Sequence, residues 1–344
     1  MSKYYDGTKL LSLTDLRGEK PEIYIVTTNR TGGKTTFFSR LCVNAFKKRK
    51  EKFAILYRYK YELEDCASKF FKDINTLFFP EDVMTAKSVA GGVFCELYLN
   101  EIPCGYAIAI NSAEAIKKYS HLLSDVKRIM FDEFQSENGN YCPNEVGKFM
   151  SIHTSIARGQ GEQTRYVPVY MIGNPVSLLN PYYVKLGIST RLNSETKFLK
   201  GNGFVLEQGY VDSAAQAQKN SGFNRAFENE KYAAYSGAGI YLNDNPTFVG
   251  KPEGAGKYLG TLRYDGIDYG VKYYPDGGLM YCDDKPDLTS KMKIVINASD
   301  HDSDSVIVRS GDLFLSQLRY YFERGLFRFK NLQCKEALLH FLSY

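Results

Sequence analysis

Short apolar runs alternate with longer segments of helical periodicity through the first half of the chain. Four runs are mostly apolar and have the length of a strand buried on both faces, at residues 23–26, 53–57, 129–131 and 167–172. Between them, apolar residues recur three and four positions apart, as in an amphipathic helix, at residues 36–50, 61–71, 113–123 and 145–157. Strands that alternate with helices predict an α/β fold built on a central, mainly parallel sheet.

The pattern changes twice in the second half of the chain. Residues 201–241 are rich in Gly, Ala, Ser, Gln and Asn around two helical centres, which is typical of a lid or linker. Beyond residue 243 come short tyrosine-rich strands with turn signals such as Asp265-Gly266, followed by two helices. We therefore expect an N-terminal domain over 1–205, a helical lid or linker over 206–242, and an α+β domain over 243–344.

The first apolar run leads into a glycine-rich turn that is typical of a phosphate-binding loop. Glycines allow backbone N–H groups to converge on phosphate oxygens, and the helix that follows adds the partial positive charge of its N-terminus. Lys34 would reach the terminal phosphates, and the Thr35 hydroxyl would bind Mg²⁺. The usual pattern has a glycine where this chain has Thr28, so an ordinary strand-to-helix turn is the alternative for this segment alone. The candidate nucleotide-binding residues are Thr28, Asn29, Arg30, Thr31, Gly32, Gly33, Lys34, Thr35 and Thr36.

The third apolar run ends in two acids that have separate chemical tasks, as in a Walker B segment. Asp132 would complete the Mg²⁺ shell, and Glu133 would polarise the attacking water. A strand that ends in Asp-Glu is a weak signal by itself, because many surface turns have the same composition. Its separation from Gly-Gly-Lys-Thr, about a hundred residues, suits a domain of βα units, and the two motifs together predict nucleotide hydrolysis.

Polar residues at the ends of other elements are candidates for the same site. Asn174 follows the fourth apolar run, where it would hold the water or sense the terminal phosphate; an Asn-Pro turn is the alternative. Arg158 ends a predicted helix before a Gly-Gln-Gly break, so it is either a solvated helix end or an arginine presented to a neighbouring subunit. Arg58 and Lys60 follow the second run, where cations can meet phosphates, although surface charge is the simpler interpretation.

Composition narrows the class of protein without indicating its activity. A chain of 344 residues suits two domains or one large domain with an appendage, and a net charge of +5 is too small to require a polyanionic partner. The sequence has no stretch of membrane-spanning length and starts with polar residues, so we expect a cytosolic protein. The seven cysteines and four histidines are scattered, which argues against a disulfide framework, a zinc site or catalysis by histidine.

These segments together resemble the genome-packaging ATPases of small short-tailed phages with protein-capped linear genomes. The resemblance covers nearly the whole chain, and the run behind the two acids is its most specific part. The matching segments are Gly32-Gly33-Lys34-Thr35, Arg58-Tyr59-Lys60 with Glu62-Leu63, Phe131-Asp132-Glu133-Phe134, Asn140-Tyr141, Pro143-Asn144-Glu145-Val146, Asn174 with Val176-Ser177, Asn180-Pro181-Tyr182, Gly278-Leu279-Met280-Tyr281 and Gly325-Leu326-Phe327-Arg328-Phe329.

The resemblance implies a homopentameric ring motor that docks on the portal of a procapsid and drives double-stranded DNA inward by ATP hydrolysis. It implies a P-loop NTPase domain of the additional-strand, catalytic-glutamate type that uses ATP and Mg²⁺, without a membrane partner. Such a motor works in the cytoplasm of the infected bacterial host and is absent from the mature virion. Participation of a structural RNA stays open. The residues carried over by position are Lys34 and Thr35 for the phosphates and Mg²⁺, Asp132 for the Mg²⁺ shell, Glu133 for the water, Arg158 as a trans-acting arginine finger, and Lys117 or Lys118 as a second trans-acting cation.

The family's C-terminal domain resembles a vestigial RNase H-type nuclease fold that binds nucleic acid without cutting it. Two-metal cleavage needs converging carboxylates, whereas most aspartates of this region lie in turn-like segments that favour aspartate for its own hydrogen bonds. A terminase-like packaging nuclease and a nucleotide-dependent DNA- or portal-binding adapter are the alternative functions. The aspartates concerned are Asp265, Asp268, Asp283, Asp284, Asp300, Asp302 and Asp304.

Overall fold

A computed structural model describes residues 4–192, 196–238, 241–290, 292–309 and 311–343. The chain divides into two compact units. The first unit comprises residues 1–186 and 192–243, and the second comprises residues 187–191 and 244–344. No helix in the described ranges is both long enough and apolar enough to cross a membrane.

The described part of the first unit forms a nine-stranded sheet with helices around it. Its strands are β1 (Ile23–Thr27), β2 (Lys52–Tyr57), β3 (Met84–Val89), β4 (Phe94–Leu99), β5 (Ile102–Ala109), β6 (Val126–Asp132), β7 (Val169–Gly173), β8 (Phe198–Lys200) and β9 (Phe204–Gln208). Its α-helices are α1 (Thr8–Leu11), α2 (Lys34–Arg49), α3 (Cys66–Phe78), α4 (Ala113–Ile116), α5 (Glu145–Ala157), α6 (Pro181–Lys185), α7 (Asp212–Asn220), α8 (Gly222–Ala226) and α9 (Lys231–Ala238).

The sheet has a parallel centre and antiparallel edges. Its strand order is β3-β4-β5-β2-β6-β7-β1-β9-β8, and the six strands from β5 to β9 run parallel. Strands β3, β4 and β8 pair antiparallel at the two sides. Strands β1, β2 and β7 are buried along almost their whole length, which is why each reads as a continuous apolar run. The predicted central, mainly parallel sheet is confirmed.

Strand β7 lies between β1 and β6, and this position defines the class of sheet. Met171 of β7 pairs with Ile25 on one side and with Phe131 on the other. The glycine-rich turn, the two acids and Asn174 follow three adjacent parallel strands, so all three segments emerge at the same edge. Ligands of open α/β sheets bind at the carboxyl ends of the strands. The inserted strand is the feature that the additional-strand class requires.

Helix α2 packs on the sheet through apolar residues that recur every four positions. Phe38, Cys42 and Phe46 are almost completely buried, and the Phe38 ring lies 5.1 Å from the Tyr170 ring of β7. Truncating a buried phenylalanine of this kind costs about 3–5 kcal/mol. Lys47, Lys48 and Arg49 lie in the last turn of α2, where positive charge interacts favourably with the helix dipole. Their charge therefore has a structural explanation.

Two predicted helices are interrupted in the structure. The segment 61–71 consists of a 3₁₀ turn, Lys60–Leu63, and the start of α3, with Asp65 between them at a φ of 54°. The Glu62 carboxylate accepts the Tyr59 N–H at 2.6 Å, and this local capping bond favours the tight turn over a continuous helix. The segment 113–123 is helical only as α4 and a following 3₁₀ turn, Lys117–Tyr119.

The segment expected to be a lid or linker belongs to the first unit and is largely helical. Helix α7 forms one of the two helical centres expected in residues 201–241, and α8 and α9 follow it. Strand β9 runs across the expected boundary at residue 205, because it pairs in parallel with β1 from Phe204 to Gln208. The chain therefore enters the lid directly from the central sheet, next to the strand that precedes the glycine-rich turn.

The second unit is an α+β fold, as predicted. Its described residues form a six-stranded sheet of order β14-β13-β10-β11-β12-β15, in which β10, β11 and β12 are an antiparallel meander. Leu315, Leu338, Phe327 and Phe329 are fully buried or nearly so in its apolar core. The elements are β10 (Lys257–Tyr264), β11 (Ile267–Tyr274), β12 (Leu279–Asp283), β13 (Lys293–Val295), β14 (Val306–Ile307), β15 (Phe327–Phe329), α10 (Leu313–Glu323) and α11 (Leu332–Ser343).

Candidate functional site

The turn from β1 to α2 leaves the start of the helix open to an anion. Gly33 is the N-cap residue, at a φ of 89°, and no side chain caps the helix. The first backbone N–H groups of α2 therefore lack the usual hydroxyl or carboxylate partner, which is the arrangement that binds phosphate at a helix N-terminus. Lys34, Thr35 and Thr36 lie in this first turn.

Thr28 occupies the first loop position without strain. The loop residues in the left-handed region are Thr31, at a φ of 60°, and Gly33, so Thr28 does not need the freedom of glycine. Thr28 is buried, and its hydroxyl donates to the Asn29 carbonyl at 2.9 Å. The departure from the usual glycine pattern is thus compatible with a formed loop.

Lys34 and Asn174 meet at the carboxyl edge of the sheet. The Lys34 ammonium is buried and donates to Asn174 Oδ1 at 2.6 Å. Burial lowers the Lys34 pKa to about 8; the nearby Arg30 charge also lowers it, whereas Asp132 and Glu133 raise it. A buried ammonium with a lowered pKa gains from an additional anion, and phosphate oxygens would supply that charge.

Asp132 and Thr35 lie opposite each other beside Lys34. Burial raises the Asp132 pKa to about 6, opposed by the Lys34 charge and by a hydrogen bond from the Thr35 hydroxyl. A carboxylate and a hydroxyl in contact are the two protein oxygens that hold Mg²⁺ in P-loop proteins. The structure brings together the metal ligands that the sequence predicted.

Glu133 lies in a strained turn, residues 132–135, which we call the acidic turn. Its φ is 52°, its N–H donates to Asp132 Oδ1 at 2.9 Å, and its side chain is exposed. A cavity of about 330 Å³ extends from Thr35 and Asp132 past Glu133 to β2. The carboxylate therefore has access to water on the side where a terminal phosphate would end.

Arg58 is buried beneath the acidic turn, which corrects both interpretations made from the sequence, a cation that meets phosphates and surface charge. Its Nη2 donates to the Phe134 carbonyl at 2.8 Å, and its Nε donates to the Glu145 carboxylate at 2.9 Å. The guanidinium lies 5.1 Å from the Tyr141 ring centroid. The position of Arg58 after β2 in the sequence could not predict this buried location, because it is the pairing of β2 with β6 that brings Arg58 under the acidic turn.

The side chains of Asn29 and Arg30 hold the lid rather than extending into the phosphate site. The Asn29 amide accepts the Val211 N–H at 2.9 Å and donates to the Val211 carbonyl at 3.2 Å. The Arg30 guanidinium pairs with Glu137, which also accepts the Tyr235 hydroxyl of α9 at 2.7 Å. The Arg30 N–H also donates to a carbonyl of α9 at 3.2 Å, so its backbone is held by the lid as well. Glu137 and Tyr235 were missed because no local motif links residues this far apart in sequence.

Residues 4–22, which precede β1 and which we call the N-terminal arm, also surround the phosphate loop, although the sequence pattern gave them no such role. Tyr5 N–H donates to the Gly32 carbonyl at 2.8 Å, and its hydroxyl donates to the Glu207 carboxylate of β9 at 2.6 Å. The Tyr5 ring packs against Phe37 and Phe38 of α2. The arm thus connects the phosphate loop with the strand that leads into the lid.

The structure places Arg158 far from the phosphate loop of its own chain. Arg158 follows α5, and its Nη2 donates to the Ser120 hydroxyl at 2.6 Å, shortly before β6 begins. Helix α5 begins at Glu145, which pairs with Arg58 beneath the acidic turn, and has 13 residues, so Arg158 lies about 20 Å from Glu145, towards the amino ends of the strands. Arg158 and the acidic turn are not brought together within one chain.

The remaining candidate cations are exposed and lie outside the phosphate site. Lys60 Nζ donates to the Gly91 carbonyl at 3.1 Å. Lys117 pairs with Glu114 at 2.9 Å, one turn back, and Lys118 is exposed on the same 3₁₀ turn. This 3₁₀ turn precedes Ser120, the partner of Arg158, so Lys117, Lys118 and Arg158 belong to one face of the first unit.

Sheet order and site together define a P-loop NTPase fold of the additional-strand class. Solved structures share this fold: a chain of the bacteriophage Phi-29 viral genome packaging motor assembly has a TM-score of 0.73, with 22% identity over 100% of this chain and 98% of that one. A chain of the Phi-28 DNA packaging motor has a TM-score of 0.60, with 16% identity over 99% and 98%.

The chain belongs to the family of Podovirus DNA encapsidation proteins (Gp16), whose model matches residues 1–342. It is 25% identical to the DNA packaging protein of Bacillus phage phi29 over 334 residues, 96% of this chain and 94% of that protein. It is also 25% identical to the DNA packaging protein of Bacillus phage B103 over 303 residues, 87% of this chain and 89% of that protein. The resemblance inferred from the sequence is confirmed.

Proposed function

We propose that this chain is an ATP-driven motor that translocates double-stranded viral DNA into a preformed procapsid. The observation that carries the proposal is the meeting of Lys34, Asn174, Asp132 and Glu133 at the carboxyl edge of three adjacent strands, in a member of a DNA encapsidation family. Residues 1–205 would hold the nucleotide under the lid at 206–242, and residues 243–344 would contact nucleic acid and the portal.

The residues present fit ATP with Mg²⁺. The uncapped start of α2 and the buried Lys34 ammonium provide positive charge for the β- and γ-phosphates. Thr35 and Asp132 supply a hydroxyl and a carboxylate where the metal would lie. When bound, Mg²⁺ neutralises charge that develops on the phosphate oxygens.

Glu133 is the general base in this proposal. Its exposed carboxylate borders the cavity beside Asp132, where it would orient a water molecule in line with the γ-phosphate and accept its proton. Asn174, held by Lys34, would hydrogen-bond the same water or the γ-phosphate. The attacking water oxygen bonds to phosphorus while the bond to the ADP oxygen breaks, and Glu133 takes the released proton.

Arg158 would complete the site of a neighbouring subunit. The length of α5, about 20 Å, separates Arg158 from Glu145 beneath the acidic turn, which argues against a role for Arg158 in its own site. An arginine supplied in trans stabilises charge on the transferring phosphoryl group and makes hydrolysis dependent on assembly. We therefore assign the working form to a homo-oligomeric ring, a pentamer by family resemblance, with Lys117 or Lys118 as a second cation on this face.

The second unit is assigned a binding role without cleavage. Several of its acids pair with cations: Lys272 pairs with Asp283 at 2.5 Å, and Arg263 pairs with Asp268 at 2.6 Å. The Asp300 carboxylate accepts the backbone N–H of Gly266 at 2.8 Å, as a turn aspartate does. Carboxylates engaged in this way are poorly placed to share two metal ions.

The partners follow from a motor that works at the portal vertex of a procapsid. DNA would be gripped mainly through its phosphates by exposed cations such as Lys60, which gives salt-sensitive binding independent of sequence. A structural RNA at the portal is compatible with the same electrostatics. The site of action is the cytoplasm of the infected host.

Phosphate release by wild-type protein and by Glu133→Gln tests the catalytic part. We expect ATP binding to be kept in the variant and turnover to fall by at least about a hundredfold, because the amide cannot accept the water proton. Glu137→Gln is a matched control on the same segment, since Glu137 supports the lid through Arg30. Unchanged turnover in Glu133→Gln would reject the assignment.

A further inference from the structure

Arg58 makes contacts that only an arginine can make at once. Its Nε faces the Glu145 carboxylate, and its Nη2 faces the Phe134 carbonyl, while both terminal nitrogens lie 3.4–3.5 Å from the Glu133 carbonyl. The guanidinium has five donors in a planar fork, so one group can serve a carboxylate on one side and two carbonyls on the other. A lysine ammonium at the end of a flexible stem cannot reach all three.

The Arg58 charge is compensated by Glu145, and that carboxylate is itself held on every side. Glu145 is 3% exposed, and it accepts the Tyr182 hydroxyl at 3.0 Å and the Cys142 N–H at 2.8 Å in addition to Arg58. These contacts fix the carboxylate, and the carboxylate fixes the guanidinium. The result is a rigid buried ion pair directly under the acidic turn.

Glu133 needs such support because its own conformation is unfavourable. A φ of 52° is strained for a residue with a side chain and costs about 1–3 kcal/mol, so surrounding contacts must maintain it. The Glu133 side chain is exposed and has no packing of its own to maintain its direction. The bonds from Arg58 to the carbonyls of Glu133 and Phe134 are placed to hold this backbone.

We infer that Arg58 is a positioning residue for hydrolysis, which acts by holding the acidic turn so that the Glu133 carboxylate is aimed at the attacking water. The inference rests on the proposed function, because it requires Glu133 to be the base. Arg58 lines the same cavity as Glu133, but the role assigned to it is to hold the backbone of the acidic turn rather than to bind nucleotide or water. Its removal therefore affects the rate of the chemical step and leaves nucleotide affinity to the phosphate loop.

The first test is the conservative substitution Arg58→Lys. We expect kcat for ATP to fall roughly 10- to 100-fold, with KM and ATP affinity changed by no more than about twofold. Arg128→Lys is the matched control, because Arg128 is a similarly buried arginine on β6 that pairs with Glu51. It should lose stability while kcat stays within about twofold of wild type.

A double-mutant cycle separates positioning from general damage. In a Glu133→Gln background, Arg58→Lys should change the residual rate by no more than about twofold, because the group that it positions has been removed. A full 10- to 100-fold loss in that background would show that Arg58 acts independently of Glu133, and would overturn the inference.

Stability is separated from rate by replacing the ion pair with a neutral pair. Arg58→Met leaves the Glu145 charge buried and unpaired, so its melting temperature should fall sharply. Arg58→Met with Glu145→Gln removes both charges. The amide oxygen can still accept the Cys142 N–H, and the amide NH2 can donate to the Tyr182 hydroxyl oxygen, so the melting temperature should recover. We expect kcat to stay low in the double variant; recovery of kcat together with stability would contradict positioning.

The outcomes distinguish this inference from the proposed function. A wild-type protein without ATP turnover, or an active Glu133→Gln variant, would reject the assignment of Glu133. Normal kcat in Arg58→Lys, with wild-type activity that depends on Glu133, would reject the role of Arg58 alone. If Arg58→Met does not fold, Arg58→Lys and its cycle still give the decision.

Discussion

Two threonines in the phosphate loop occupy backbone conformations of opposite kinds. Thr28 stands where the usual pattern has glycine, yet it lies outside the left-handed region. Thr31, at a position where the pattern admits any residue, has a φ of 60° and is exposed. The strain of the loop is therefore carried by Thr31, and the missing glycine at position 28 has no conformational cost.

Glycine substitution at each position tests this account. Thr31→Gly should raise the free energy of unfolding by about 0.5–1 kcal/mol, because glycine adopts a positive φ without strain. Thr28→Gly should lower it by about 1 kcal/mol, since it only adds entropy to the unfolded chain and removes a hydrogen bond. Urea unfolding of both variants measures the difference, and a Thr28→Gly variant more stable than Thr31→Gly would show that the assignment of strain is reversed.

At the scale of single residues, the sequence predicted types of chemistry better than contacts. Lys34, Asp132 and Asn174 were predicted from local motifs at the carboxyl ends of strands. Lys34 begins the helix after β1, Asp132 is the last residue of β6, and Asn174 follows β7. Arg58 follows such a strand too, but its side chain turns under the neighbouring strand, and no local pattern records that direction. Glu145 stood in the most specific run of the resemblance, and its partner became visible only in the structure.

At the scale of elements, α5 connects the two edges of the sheet. Its first residue, Glu145, supports the acidic turn through Arg58, and Arg158 follows its last residue at the opposite edge. In the proposed function, the helix thus links a turn that would act on the chain's own nucleotide with an arginine that would act on another chain. The predicted bounds of this helix, 145–157, are confirmed because its apolar spacing is regular.

Mixed subunits test whether Arg158 acts in trans. Arg158→Ala and Lys34→Ala proteins should each be nearly inactive, and mixtures should regain part of the wild-type turnover. Recovery is expected because an Arg158→Ala subunit keeps Lys34 and can receive the arginine of a Lys34→Ala neighbour.

The control mixes Lys34→Ala with Glu133→Gln. Both residues serve their own site, so no subunit in this mixture has a complete set and turnover should stay at the background. Phosphate release across several mixing ratios gives the comparison. If no ratio of Arg158→Ala to Lys34→Ala exceeds this control, the trans assignment is wrong.

The sheet order is the element-level feature that sequence patterns could not supply. Apolar runs predicted strands of the parallel centre, but the place of β7 between β1 and β6 is set by long-range pairing. Met171 pairs with Phe131, 40 positions earlier, and with Ile25, 146 positions earlier. Strand β9 lies in residues 201–241, whose composition is typical of a lid or linker rather than of a strand. Pairing of β9 with β1 overrides that composition.

At the scale of the whole molecule, the chain combines a nucleotide-binding unit with a second α+β unit in one polypeptide. A hydrogen bond between Asn29 and Val211 connects the phosphate loop to the lid, so a movement of the loop on nucleotide binding would be transmitted directly to α7. A ring that shares Arg158 across its interfaces would couple hydrolysis in one subunit to the state of the next. Directional movement of DNA requires such coupling.

Uptake of DNA into portal-bearing procapsids tests this account most directly. Wild-type protein with procapsids, double-stranded DNA and ATP should protect DNA from added nuclease, and Glu133→Gln should protect none while still binding ATP. Packaging with a non-hydrolysable ATP analogue is expected to be absent as well. Equal protection by wild-type protein and Glu133→Gln would contradict the claim that hydrolysis at this site drives DNA into the procapsid.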